Sequence, residues 1–130
     1  MRNPVAHFEI YADDPDKLAE FYKNLFDWKI SAVPNMEYWS IQTVDSDDKH
    51  MPKQTGGING GMAKRPRPEV RFWTNYVTVE SLDGALERAQ KLGAKVDKPR
   101  TPVPGMGWFA MLTDPQGNVF ALWQADKNAK

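Results

Sequence analysis

His7, Glu9 and Tyr11 occupy alternate positions of a short run, Val5-Ala6-His7-Phe8-Glu9-Ile10-Tyr11, with Ala6, Phe8 and Ile10 between them. Such alternation sets side chains on one face of a β-strand, about 7 Å apart for residues two positions apart. An imidazole and a carboxylate at that spacing can grip one small polar ligand together, or the carboxylate can orient the imidazole as an acid–base. Two other uses stay open: Glu9 as the hydrogen-bond partner of a structural histidine, and a metal ion held by His7, Glu9 and waters. The opposite face is apolar and suits packing against a helix, so the polar face must meet water or a cavity.

Other chemistry finds little support. His50 stands alone in a polar loop, and Asp45, Asp47 and Asp48 lack the glycine and closing Glu of an EF-hand. The Gly56 to Gly61 run is not followed by the Lys-Ser/Thr of a phosphate loop, and there is no Gly-x-Ser-x-Gly. With no cysteine, disulfides, thiolate catalysis and zinc-cysteine sites are excluded, which fits a reducing compartment. Lys+Arg 17 balance Asp+Glu 17, so no broad field draws nucleic acid or an anionic membrane. Met1-Arg2-Asn3-Pro4 runs into the first strand without an apolar leader, and the expected location is cytoplasmic.

Around the polar triplet the elements follow from periodicity. Asp14-Pro15 supplies an N-cap and first-turn proline for a helix with Leu18, Phe21, Tyr22 and Leu25 at helical spacing, ending near Asp27. Strands are predicted at about Trp28 to Val33, Glu37 to Val44 and Ile58 to Ala63, with a turn at Pro34-Asn35. A second set follows: a strand at about Phe72 to Val79, a helix from Ser81 to Leu92 ending at Gly93, and strands near Lys95, Trp108 to Thr113 and Val119 to Gln124. The order is βαβββ-βαβββ, and His7 and Thr74, like Leu25 and Leu92, differ by 67 positions. A period of this length implies two modules sharing one domain rather than a solenoid. At 130 residues the expectation is one domain, with module one at about 4–63, a linker at about 64–70 and module two at about 71–125.

Three segments read as irregular. Asp45 to Thr55 is a polar connector. Lys64-Arg65-Pro66-Arg67-Pro68-Glu69 reads as a stiff, charged linker, with an anion site as a second reading. Pro99 to Gly107 reads as a long loop, either a plain connector or a cover over a cavity mouth.

Four features together resemble the vicinal oxygen chelate superfamily of glyoxalases, bleomycin-resistance proteins and extradiol dioxygenases. They are His7 fourteen residues before Phe21-Tyr22, the Gly57-Ile58-Asn59-Gly60-Gly61 run, Val79-Glu80-Ser81-Leu82, and Asp114-Pro115-Gln116-Gly117-Asn118-Val119-Phe120. The resemblance implies an α+β fold of two βαβββ modules forming paired half-open barrels around a pocket, completed by paired modules or dimers. It also implies, for metal-dependent members, a His or Gln in the first strand of each module and a Glu in the last strand of each. His7 fits the first. The matching positions elsewhere fall on Thr74, on Ala121, and on Asn59, Gly60 or Gly61, none of them a carboxylate.

The resulting expectation is a small-molecule-binding protein without the full metal site, its pocket lined by His7, Glu9, Tyr11, Thr74, Tyr76, Trp108 and Trp123, apolar and aromatic with a few polar anchors. No cofactor is expected. The alternative is a lyase, isomerase or dioxygenase that holds a divalent metal partly through His7 and moves a proton with Glu9. The expected partners are a small-molecule ligand and a second copy of the chain, because exposed edge strands and a half-open barrel favour pairing.

Overall fold

The computed structural model describes residues 2–130. By compactness the chain divides into two units, His7–Trp73 (module one) and Thr74–Lys130 together with the residues up to Ala6 (module two). The Pro4 carbonyl accepts from the Thr78 N–H at 2.9 Å, which attaches the N-terminal segment to module two.

Each module follows the βαβββ order. Strand β1 (Val5–Ala12) leads into α1 (Pro15–Phe26), then β2 (Lys29–Ala32), β3 (Tyr38–Gln42) and β4 (Gly60–Lys64). The second set is β5 (Thr74–Thr78), α2 (Leu82–Lys91), β6 (Lys95–Val103), β7 (Gly107–Thr113) and β8 (Val119–Ala125). The sheet order is β2-β3-β4-β1 in module one and β6-β7-β8-β5 in module two. In both, the first strand pairs in parallel with the last and the remaining pairs are antiparallel.

Local chemistry explains where the helices begin and end. Asp14 caps α1 by accepting from the Lys17 N–H at 3.2 Å, and Ser81 caps α2 by accepting from the Gly84 N–H at 3.1 Å. Helix α1 ends on Asp27 in the left-handed region, and Gly93, with φ +105°, lets the chain leave α2. Each sheet buries one face against its helix. Phe8, Ile10, Ala19, Ile30, Ile41 and Met62 form the first core, and Val79, Leu82, Ala85, Ala110, Leu112 and Leu122 the second. Each large side chain so buried contributes roughly 1.5–3 kcal/mol.

Two sequence expectations need correction. The segment from Pro99 is mostly strand, since β6 runs to Val103 and only a turn separates it from β7. Its prolines are tolerated because β6 pairs only with β7 in its module and its register shifts between Val96 and Lys98 and between Lys98 and Thr101. The linker is anchored rather than freely solvated: the Arg65 side chain is only 13% exposed, bonds Asp13 at 2.9 Å and donates to the Val70 carbonyl. Of the apolar residues at helical spacing in α1, Phe21 and Leu25 are 55% and 56% exposed, whereas Ala19 is buried in the core. Among the described residues, no helix is long and apolar enough to cross a membrane.

Candidate functional site

Burial of Phe8, Ile10 and Ala12 against α1 turns His7, Glu9 and Tyr11 to the other face of β1. The parallel register sets Glu9 opposite Gly61 and Tyr11 opposite Ala63. The β3–β4 register sets Tyr38 opposite Ala63 and Ser40 opposite Gly61. One face of module one therefore carries His7, Glu9, Tyr11, Tyr38 and Ser40 around two positions with almost no side chain.

Tyr38 organises this face. Its hydroxyl donates to Glu9 Oε2 at 3.0 Å and lies 3.1 Å from His7 Nε2. Because the Tyr38 proton is committed to the carboxylate, its oxygen is left to accept from a His7 Nε2–H. His7 Nε2 and Glu9 Oε2 are 3.5 Å apart, with side chains 37% and 17% exposed. Burial, then the charge of Glu9 and its hydrogen bond, push the Tyr38 phenol well above its ordinary value, so it remains a donor at any physiological pH.

Gly61 makes room for that phenol. A Cβ built on Gly61 would overlap the Tyr38 hydroxyl and ring carbon, so Tyr38 occupies the volume a side chain at 61 would need. This decides which residue of β4 meets the polar face. Asn59 is committed elsewhere, accepting from the Thr43 and Val44 N–H groups at 2.8 and 3.1 Å and donating to Ser46 at 3.1 Å.

The residues present do not fit the metal site that the resemblance implies. The β4 position is a glycine covered by a protonated phenol, and among the described residues no three His, Asp or Glu side chains are grouped to hold one ion. Catalytic zinc or related sites ordinarily draw about three protein ligands.

Module two repeats the geometry with other side chains. Tyr76 lies opposite Ala121 in the parallel β5–β8 register, as Glu9 lies opposite Gly61. Met111 is opposite Ala121 and Phe109 opposite Trp123, so this face carries Thr74, Tyr76, Phe109, Met111, Ala121 and Trp123. Thr74 and Ala121 are fully buried, and the Tyr76 and Phe109 rings lie 6.4 Å apart. Trp108 departs from its expected place. It sits on the α2 side of β7, packed against the second core, with Arg100 over its ring at 4.0 Å and its indole N–H donating to Asp126 at 3.0 Å. The phase of β7, read from Gly107, puts Trp108 with Ala110 and Leu112 and gives Phe109 and Met111 the other face.

Sequence reasoning missed Tyr38. It was visible as the first aromatic after the Pro34-Asn35 turn, but only the β3–β4 register shows that it meets Glu9.

The chain matches, over residues 5–122, the Glyoxalase/Bleomycin resistance protein/Dioxygenase superfamily. It belongs to that superfamily. DnrV, an anthracycline biosynthesis protein of Streptomyces peucetius, is 28% identical over 133 residues, covering 92% of this chain and 46% of its own length. The putative glyoxylase CFP32 of Mycobacterium tuberculosis is 28% identical over 115 residues, covering 88% of this chain and 41% of its own. The chain thus spans less than half the length of these two relatives. A solved superfamily member from Vibrio splendidus superposes with a TM-score of 0.61 at 13% identity over 96% of this chain and 100% of its own, a likeness of fold. The superfamily scaffold, here α+β with two βαβββ modules, accounts for the parallel first-to-last strand pairing seen in both halves.

Proposed function

We propose that this chain binds a small polar molecule on the His7–Tyr38–Glu9 face of module one and does so without a resident metal. The observation that carries the reading is the ordered set of hydrogen bonds at 3.0 and 3.1 Å, built over a glycine whose missing side chain Tyr38 replaces. A carboxylate, an imidazole and a phenol held neutral form a directional set suited to a ligand with a hydroxyl or amine group. Preorganised groups lose little conformational freedom on binding. Superfamily membership supports a ligand-binding scaffold, although a scaffold alone does not choose a ligand.

The same reading places the protein in the cytoplasm as a homodimer; sedimentation showing a monomer at micromolar concentration would remove the dimer. The function is tested by His7→Ala and Glu9→Gln, assayed in parallel for melting and for binding of hits from a panel of small hydroxy and amino compounds. Loss of binding with melting near wild type supports the site. Variants that bind normally but melt early would reduce the cluster to a structural role, whose loss costs roughly 1–3 kcal/mol through an unsatisfied buried group.

A further inference from the structure

A groove in module one lies where the segment after β4 folds back against α1, and its lining includes none of His7, Glu9 and Tyr38. It has a volume of about 210 Å³ and is bordered by Tyr11, Tyr22, Arg65, Arg71, Phe72 and Trp73. We propose that this groove binds a small planar aromatic anion, a single ring bearing a carboxylate, with the ring on Trp73 and the anionic group on Arg71.

Trp73 is built as a stacking platform. Phe8 packs parallel to its indole at 5.6 Å and Tyr22 meets it edge-on at 6.2 Å, yet Trp73 remains 47% exposed and neighbouring Phe72 43% exposed. An indole held by two neighbouring rings and still half exposed can accept a flat ring without being reordered, as aromatic side chains do for nucleobases.

Charge at the groove is unbalanced in favour of an anion. Arg65 and Arg71 both reach Asp13, at 2.9 and 3.4 Å, so two guanidinium groups share one carboxylate. Two further cations of the same segment are paired, Lys64 with Glu37 at 3.5 Å and Arg67 with Glu69 at 3.3 Å. Arg65 is buried and serves as a wall, but the Arg71 side chain is 59% exposed, with its Nε donating to the Pro68 carbonyl at 2.8 Å. That bond and the Nη1 contact with Asp13 at 3.4 Å hold the guanidinium in place, and its exposed part can donate to a carboxylate. The volume selects one ring, since pockets for drug-sized ligands run to about 300–1,000 Å³.

The experiment is an amide NMR titration of the full chain with benzoate, benzyl alcohol and cyclohexanecarboxylate. Benzoate should shift the amides of Val70 to Trp73. Benzyl alcohol, lacking the charge, and cyclohexanecarboxylate, lacking the ring, should each bind about tenfold more weakly, as a loss near 1.4 kcal/mol implies. Arg71→Gln, at an exposed position outside the His7 network, should lower benzoate affinity by a similar factor with unchanged melting, and Trp73→Leu should abolish it. Equal binding of all three probes would overturn the proposal in favour of a plain apolar patch. So would benzoate shifts confined to His7, Glu9 and Tyr38, or sedimentation showing that Trp73→Leu breaks a dimer that buries this surface.

Discussion

The two modules share a backbone plan and differ in what they place on one sheet face. At equivalent registers, module one has His7, Glu9, Tyr38 and Gly61 where module two has Thr74, Tyr76, Phe109 and Ala121. The first set makes an ordered hydrogen-bond network with side chains partly open to solvent. In the second, Thr74, Tyr76 and Ala121 are buried and the Tyr76 and Phe109 rings lie side by side. The difference teaches that this scaffold is set by the helix-facing sides of its strands, which are apolar in both modules. The other faces are therefore free to diverge, and only one of them has become directional.

The comparison can be broken most forcefully at Gly61. Gly61→Ala should destabilise the protein by about 3 kcal/mol, because overpacking a well-filled site typically costs 1–3 kcal/mol and the overlap with Tyr38 is severe. In a Tyr38→Ala background the same substitution should cost only a few tenths, and urea denaturation of the four proteins measures the coupling. Additive costs would mean that Tyr38 does not fill the space beside residue 61.

Next in size is Tyr38→Phe, which strips a donor from the partly buried Glu9 carboxylate and should cost roughly 1–3 kcal/mol by urea denaturation. A neutral result would show that the network contributes nothing to stability.

The shared plan predicts matched effects instead. Asp14→Ala and Ser81→Ala remove equivalent caps, and each should cost about 1 kcal/mol. Thermal melting that finds one cap far weaker would mean that the two helices are not held alike.

Smallest is an acid effect that separates a charge-paired carboxylate of module one from two N–H-bonded carboxylates of module two. The Asp13 carboxyl is held below its ordinary 3.8 by its hydrogen bond and charge interaction with Arg65. Asp126 is lowered chiefly by the Trp108 indole N–H, and Asp114 by the Asn118 backbone N–H. A depressed carboxylate supplies stability that is present in full above the unfolded value and is lost as pH falls through the lower folded value. Acid unfolding should therefore draw on all three below 3.8. Added salt should weaken the Asp13 contribution and leave Asp114 and Asp126 nearly unchanged, since screening acts on charge pairs. Comparing Asp13→Asn with Asp114→Asn in acid titrations at low and high salt checks this.

Much of the scaffold was legible in the sequence, and the reasons are local. Alternation in β1, the caps at Asp14 and Ser81 and the glycine at 93 each act through neighbouring residues, so spacing reveals them. The site was half legible. His7 and Glu9 share a strand and declare their common face, whereas Tyr38 joins them through the register of β3 on β4, a long-range pairing that no local pattern encodes. Trp108 shows the reverse error, for an indole beside a strand was counted to a pocket when one step of phase put it against α2. The prolines of β6 read as loop because a proline cannot donate to a ladder, a rule that weakens where a strand is irregular and paired only with β7 in its module.

The central claim is that the directional face of module one takes an organic ligand through hydrogen bonds. A crystal structure of the protein soaked with a hit from the small-molecule panel, with anomalous data collected for transition metals, tests it most directly. The account predicts ligand density within hydrogen-bonding distance of Glu9 or His7 and no anomalous scatterer on either. A metal ion coordinated by His7, or a ligand bound only against Tyr76 and Phe109, would contradict it.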